Sequence, residues 1–399
     1  MLIQEIRGHT ERLNNLLLQC ESISKQLFKI PRWAKLREVR DCVIRIAAAI
    51  RQRFCCGCKD KHRVFLRLDN MVPAVEDCSD EIAVLDNIVF RMGFEYEADN
   101  HSLSRPWGWK QLKFDPLPFD NPPSRIRNIS FPSSTRQRYN TGVPVVPDLC
   151  ETMQALLSPI PSLTKLDGPV GTFGCLEVDG LGSYLLAQRE HDETDGLFSY
   201  PVSLNSWFAR DNAWTRKAKC RFALRIASSL LYLHSTDWLK NGWDSQKVFL
   251  VQGQNRRLLF EPFVIHSTST TIGWDIEYFQ TAAPGLGSFK PILYELGLLL
   301  LEIAFQKPWQ QLSSLDQGAT QRDILLNNYV KAEELCKRIE KESGQLGPLY
   351  AEAAWNCIHG DFNERCKKFE DEDFLTEFYK VVVCYLISAE ESYEMEAEE

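Results

Sequence analysis

The chain has 399 residues and a net charge of −8, and its 44% hydrophobic and 25% charged residues are ordinary for a soluble globular protein of about two to three domains. The longest apolar run, residues 296–305, is too short to be a transmembrane helix, which takes about 20 apolar residues, and it contains Glu302. The N-terminus carries no secretory signal, and the 13 cysteines, an odd number, favour free thiols over a disulfide framework. We therefore expect a cytoplasmic protein.

Two amphipathic helices are predicted at the N-terminus. Apolar residues recur at about 3.6-residue spacing from Leu2 to Ile23 and from Leu36 to Phe54, with Pro31 between the two sets. Met1 to Arg63 holds 14 basic and 6 acidic residues, so the rest of the chain carries −16. This basic arm could contact an anionic partner or membrane, but the simpler interpretation is that it complements the acidic body of its own chain. The amphipathic faces of the two helices could also support self-association. We predict a protein partner, no nucleic acid and no stable membrane insertion.

Cys55, Cys58 and His62 directly follow the second helix. Two thiolates and an imidazole at this spacing can converge on one tetrahedral ion, which makes the segment half of a zinc site. A closed structural site needs four ligands, and no second pair with comparable spacing follows. A structural turn with buried thiols is the simpler interpretation, so no cofactor is predicted.

The next part of the chain is expected to form a small sheet. The predicted elements are strands at 63–68 and 86–97, a Pro-rich surface excursion at about 99–147, a helix capped by Asp148, and a hairpin of strands 174–178 and 183–187. Helices follow from Val202 onward. This order predicts an α+β protein in which a small β-rich lobe precedes a larger helical lobe.

The stretch from Phe222 to Glu302 has the most specific order of elements. It contains an apolar helix at 222–234, short strands at 248–251 and around 258–260, and a leucine-rich helix at 292–305. Its phrases Ile226-Ala-Ser-Ser-Leu-Leu-Tyr-Leu-His234 and Tyr294-Glu-Leu-Gly-Leu-Leu-Leu-Leu-Glu-Ile303 resemble the C-terminal lobe of a protein kinase. The resemblance implies a two-lobed kinase-like fold behind the N-terminal helical pair, with domains at 1–55, 56–200 and 201–389 and an acidic tail at 390–399.

The side chains that a kinase uses for phosphoryl transfer are missing at the matching positions. A kinase needs a catalytic Asp as base, an Asn and the Asp of Asp-Phe-Gly for magnesium, and a loop that covers the phosphates. Laid on that pattern, Gly242 replaces the base, Lys247 replaces the Asn, and Glu261-Pro-Phe263 replaces Asp-Phe-Gly. Glycine accepts no proton and a lysine repels a magnesium ion. The sequence therefore predicts a chain that is not an enzyme.

The resemblance extends to a family of uncharacterised proteins from filamentous fungi with a degenerate kinase-like C-terminal domain. The phrases that carry it recur in order: Cys56-x-Cys58 and His62 before Val64-x-Leu66-x-Leu68, Asp148-Leu-Cys150, Ile226 to Leu239 with Trp243, and Tyr350 to Phe362 with Phe374 to Leu386. In that family the domain often follows helical regions of the kind found in cell-death and prion-like signalling proteins. The resemblance implies a pseudokinase that serves as a scaffold in fungal intracellular signalling.

Two alternatives from other classes stay open at this point. One is an atypical ATP-dependent phosphotransferase that uses Glu261 or Asp244 in place of the lost acids. The other is a zinc-stabilised adaptor built on the Cys55, Cys58 and His62 segment.

Overall fold

The computed structural model describes residues 31–55, 63–72, 89–97, 107–116, 145–155, 172–179, 181–188, 198–210, 214–239, 242–253, 258–266, 291–313, 321–341, 346–360, 362, 369 and 371–393. They fall into two compact units. The sheet unit is bounded by Glu38–Leu66 and Cys78–Asp195, and the helical unit by Met1–Arg37, Arg67–Asp77 and Gly196–Glu399. The predicted α+β class is confirmed, since helices and antiparallel strands both build the protein.

In the described residues, the sheet unit contains a five-stranded antiparallel sheet and two helices. Its elements are α1 (Trp33–Gln52), whose first turn belongs to the helical unit, β1 (Arg63–Arg67), β2 (Phe90–Glu97), β3 (Trp107–Pro116), α2 (Leu149–Ala155), β4 (Thr172–Val178) and β5 (Gly182–Gln188). The strand order is β4-β5-β3-β2-β1. In its core Phe65, Phe94 and Phe114 are fully buried, and the thiol of Cys42 lies 2.9 Å from the hydroxyl of Tyr184.

Several predicted elements of this unit are confirmed. The hairpin of β4 and β5 forms, and Asp148 caps α2 by accepting the backbone N–H of Cys150 at 2.7 Å. The prediction of a surface excursion at 99–147 is wrong for 107–116, because β3 lies there and pairs with both β2 and β5. The first predicted helix, from Leu2 to Ile23, lies outside the described residues.

The helical unit consists of three strands and a set of packed helices. Its elements are β6 (Phe198–Ser203), α3 (Leu204–Phe208), α4 (Arg216–Leu233), β7 (Val248–Gly253), β8 (Leu258–His266), α5 (Pro291–Phe305), α6 (Trp309–Ser313), α7 (Gln321–Lys341), α8 (Gly347–His359), α9 (Glu372–Phe378), a π-helical turn (Tyr379–Val383) and α10 (Cys384–Ser392). The strands run β6-β7-β8, all antiparallel. None of the described helices is long and apolar enough to cross a membrane.

The centre of the helical unit is α5, which is almost entirely buried because it is apolar on every face. It packs closely on α8 at Gly297, where a Cβ atom would lie only 2.6 Å from Cγ1 of Ile358. Helix α4 begins at the N-cap Thr215, whose hydroxyl accepts the N–H of Ala218 at 3.2 Å, and it buries the long apolar run predicted for it.

The C-terminal helix is interrupted by the π-helical turn between α9 and α10. A π turn opens the regular hydrogen-bond ladder of a helix and leaves a carbonyl to be satisfied from elsewhere. Asn356 of α8 donates from Nδ2 to the carbonyl of Val381 at 3.1 Å, and the side chain of Asn356 is buried. A side-chain amide thus supports the interruption.

Candidate functional site

The loop of residues 242–247 joins α4 to β7 and contains two of the sequence-predicted site positions. Gly242 has a φ of +78°, a left-handed conformation that favours glycine. A Cβ atom at Gly242 would lie 2.5 Å from Oε1 and 2.6 Å from Oε2 of Glu295. A side chain at the position that resembles a kinase base would therefore have to displace the carboxylate of Glu295.

Two carboxylates of α5 lie on one face of the helix because they are seven residues apart. They accept hydrogen bonds from the 242–247 loop and from the start of α6. Glu295 accepts the backbone N–H of Trp243 through Oε2 at 2.7 Å. Glu302 accepts the hydroxyl of Ser245 at 2.8 Å and the backbone N–H of Trp309 at 2.6 Å. Both carboxylates thus accept hydrogen bonds from donors of the same unit.

Burial sets the protonation of both carboxyls. It raises the pKa of Glu295 to about 7, although the hydrogen bond from Trp243 and the charge of Lys247 oppose this shift. Burial likewise raises the pKa of Glu302 to about 7, against the hydrogen bonds from Trp309 and Ser245. These two side chains therefore change charge near neutral pH, where an exposed glutamate is fully ionised.

Lys247, the second predicted position, belongs to a local turn. The Oδ1 atom of Asp244 accepts the backbone N–H groups of Gln246 at 2.8 Å and Lys247 at 3.0 Å. The ammonium of Lys247 lies 3.1 Å from Oδ2 of the same carboxylate. Asp244, which the phosphotransferase hypothesis offers as a substitute acid, is thus engaged in three contacts within its own turn.

Glu261, the third predicted position, lies in β8 and belongs to a buried ion-pair cluster. Its Oε1 atom is 2.8 Å from Nη1 of Arg67. The other edge of the guanidinium binds Asp69 with a fork, through Nε to Oδ2 and through Nη2 to Oδ1, both at 2.9 Å. The side chain of Arg67 is only 7% exposed, while those of Asp69 and Glu261 are 18% and 16% exposed.

The frame around this cluster is fixed by hydrogen bonds to the backbone. The buried Tyr232 of α4 donates its hydroxyl to the carbonyl of Asp69 at 3.0 Å, and the N–H of Leu68 donates to the carbonyl of Pro262 at 2.7 Å. Burial alone lowers the pKa of Arg67, but the carboxylates of Asp69 and Glu261 outweigh it and raise that pKa. Arg67 therefore stays charged.

The remaining sequence-predicted positions are not brought together in the described part of the chain. Cys58 and His62 lie outside the described residues, and the exposed Cys55 points its thiol at the carbonyl of Gln52, 3.3 Å away. Among the described residues, no group of three His, Cys, Asp or Glu side chains has the arrangement that a metal ion needs. The zinc hypothesis stays a prediction.

His234, the C-cap of α4, is a core residue. His234 is 2% exposed, its Nδ1 atom lies 3.1 Å from the carbonyl of Leu230, and its ring stacks on that of Phe369. Three large side chains before or within the 242–247 loop and in β8 are buried as well: Trp238 at 4%, Trp243 at 2% and Phe263 at 0% exposure.

Sequence reasoning missed the partners of the predicted positions. Arg67, Asp69 and Glu295 were not selected, because nothing local marks them as different from other strand or helix residues. One signal was present for Glu295: it stands seven residues before Glu302 in a helix that is otherwise apolar, so two costly charges share one buried face.

Comparison with known proteins gives one family. No curated protein matches the chain. Residues 183–391 match the family described as a domain of unknown function, DUF7580, and this segment is slightly more than half of the 399 residues. It includes the 242–247 loop, Glu261 and both carboxylates of α5. The chain belongs to the DUF7580 family.

Proposed function

We propose that this chain is a non-catalytic, protein-kinase-like module that binds a protein partner, acting as a scaffold in intracellular signalling of the kind found in filamentous fungi. The order of elements supports a kinase-like fold with two lobes. An antiparallel sheet with a short helix comes first, followed by a long helix, a loop, two paired strands and an apolar central helix.

The observation that carries the proposal concerns the positions that match the catalytic base and the metal ligands of a kinase. All three are engaged in contacts within the chain. A proton acceptor at position 242 would overlap with Glu295. Lys247 is paired with Asp244, and Glu261 is paired with Arg67. Phosphoryl transfer depends on positioned acids and metal ions. Acids that already neutralise internal cations are not available to bind the magnesium ion of an ATP complex.

Side chains at the surface of the helical unit support a binding role. Half-buried aromatic side chains occur on α6, α7 and α8, including Trp309, Tyr329 and Trp355, and Val330 on α7 is 55% exposed. Aromatic side chains of this type contribute strongly to protein interfaces.

An ATP titration tests the proposal. The melting temperature of the chain is measured against increasing ATP with Mg²⁺ or Mn²⁺, and release of labelled γ-phosphate is followed in parallel. We expect no saturable shift and no turnover above the level without protein. A saturable shift together with phosphate transfer, both lost in Glu261→Gln but not in Asp373→Asn on the exposed start of α9, would instead establish the atypical phosphotransferase.

A further inference from the structure

Two partly buried carboxylates face one buried cation inside the helical unit. Asp69 and Glu261 contact opposite edges of the same guanidinium, at 2.8–2.9 Å for all three nitrogen–oxygen pairs. Two ionised carboxylates cannot share a poorly solvated place without a positive charge between them, because each raises the cost of ionising the other. Burial raises the pKa of Asp69, and the charge of Glu261 adds to this rise while Arg67 opposes it.

We propose that the guanidinium of Arg67 is a built-in counter-ion that occupies the place of a divalent cation between Asp69 and Glu261 and keeps the site closed to metal. This inference rests on the proposed function, because only the kinase resemblance identifies Glu261 as the position of a magnesium-binding acid. It goes further by naming the residue that closes the site and the ligand class that the site would otherwise take.

The chemistry of the guanidinium and of the two carboxylates explains how an arginine can take the place of a divalent cation. A guanidinium offers directed N–H donors, and a bidentate fork on a carboxylate is among its strongest contacts. Mg²⁺ and Mn²⁺ prefer oxygen ligands and are commonly held by one or two carboxylates while keeping several waters. A pair of carboxylates is therefore suited to either cation, and the tethered arginine competes without any loss of freedom on binding.

Backbone hydrogen bonds hold the two segments that carry these carboxylates. The backbone of Asp69 is fixed by Tyr232, and the strand that carries Glu261 is fixed through Pro262, which accepts from Leu68. Neither of these two bonds involves the side chain of Arg67. Replacement of Arg67 by an uncharged residue should accordingly expose a preformed pair of acids.

The experiment compares Mn²⁺ binding by the wild-type chain, Arg67→Met, and Arg67→Met combined with Glu261→Gln. Free Mn²⁺ is measured by electron paramagnetic resonance, and melting curves are recorded with Mn²⁺ alone and with EDTA. We expect Arg67→Met to bind one Mn²⁺ per chain. Its melting temperature should rise by about 2–3 °C at a concentration ten times Kd. The double variant should bind at least about tenfold more weakly.

Arg221→Met is the matched control, because Arg221 also pairs with a carboxylate, Glu390, at 2.6 Å, but its side chain is 43% exposed. It should gain no Mn²⁺ binding. If Arg67→Met does not fold in EDTA, the readout becomes recovery of its cooperative melting transition on addition of Mn²⁺, with the double variant as the comparison.

Two results would overturn the inference: Arg67→Met that neither binds nor is refolded by Mn²⁺, or a wild-type chain that already binds Mn²⁺ in a Glu261-dependent manner. Both can be distinguished from failure of the proposed function. That function is tested by phosphate transfer in the wild-type chain, whereas this inference concerns binding of the metal alone by the variant.

Discussion

Replacing Gly242 by alanine tests whether the loop that resembles a kinase catalytic loop is closed by Glu295. The substitution places a Cβ atom 2.5 Å from Oε1 of Glu295 and imposes a φ of +78° on a residue with a side chain. The left-handed conformation costs about 1–2 kcal/mol. The carboxylate must also move away from the N–H of Trp243, and loss of a hydrogen bond to a charged group costs about 1.5–3 kcal/mol. We expect unfolding free energy to fall by about 3–5 kcal/mol.

The assay is urea unfolding of the wild-type chain, Gly242→Ala, Glu295→Ala and the double variant, followed by hydrogen exchange of peptides from the helical unit. Following one unit matters because a protein of two compact units need not unfold in a single step. Once Glu295 is truncated, the added Cβ atom meets no carboxylate and only the conformational cost remains. The double variant should therefore be more stable than the sum of the single effects predicts, by about 1.5–3 kcal/mol.

Additive effects of the two substitutions would refute this reasoning, since they would mean that Gly242 and Glu295 do not interact. The same contact predicts that Gly242→Asp does not restore a kinase base. An aspartate tolerates a left-handed conformation better than alanine does, but its carboxylate would be forced against that of Glu295. Its unfolding free energy should fall at least as far as that of Gly242→Ala.

Three further predictions concern the helical unit. Gly297→Ala should lower the unfolding free energy by about 1–2 kcal/mol, because overpacking against Ile358 at 2.6 Å outweighs a helix-propensity gain of about 1 kcal/mol. Urea unfolding measures this, and full additivity with Ile358→Ala would contradict it. Asn356→Ala should cost about 1–3 kcal/mol and speed amide exchange mainly in the π-helical turn, since a buried carbonyl loses its donor; a uniform change along the unit would argue against this role. Stability should fall between about pH 4.5 and pH 8, because the pKa values of Glu295 and Glu302 are raised to about 7 in the fold. The two protonated carboxyls stabilise the fold fully below the pKa of an unfolded glutamate, and this stabilisation is lost as they ionise. The loss for each group is about 1.4 kcal/mol for every unit by which folding raises its pKa. Urea midpoints across this range should show a smaller slope in Glu295→Gln, and an unchanged slope would exclude that group as a cause.

Local patterns of sequence predicted much of the helical unit. The spacing of apolar residues in α4 and α5 indicated buried helices, and the alternation before and after the turn at Asp179 indicated the hairpin of β4 and β5. These elements are specified by residues that are close in sequence, so that reading their periodicity is sufficient. The capping position of α2 was predictable for the same reason.

The strand β3 could not be identified in this way. Its sequence, Trp-Gly-Trp-Lys-Gln-Leu-Lys-Phe-Asp-Pro, has apolar residues at odd positions first and at even positions later, so the alternation that marks a strand is broken. Pairing with β2 on one side and β5 on the other stabilises it. The π-helical turn is similar, because Tyr-Lys-Val-Val-Val carries no local mark of a π-helix and depends on Asn356 of another helix.

The candidate site was predicted in part. The resemblance identified Gly242, Lys247 and Glu261 as positions to inspect, but it did not identify what holds them. Arg67 and Glu261 are far apart along the chain, and Glu295 reaches the loop from the central helix. Such partners follow from the arrangement of elements in space, which no local pattern encodes.

The π-helical turn also has a consequence for the direction in which the last helix presents its side chains. A π turn accommodates an additional residue, and one residue in an α-helix advances the chain by about 100° around the axis. The apolar positions of α10, among them Leu386 and Ala389, are consequently rotated relative to those of α9, and α10 packs on α4 and α8 with this rotation in place. Removal of a single residue from 379–383 would therefore turn the apolar face of α10 away from its neighbours, although the helix would become only slightly shorter.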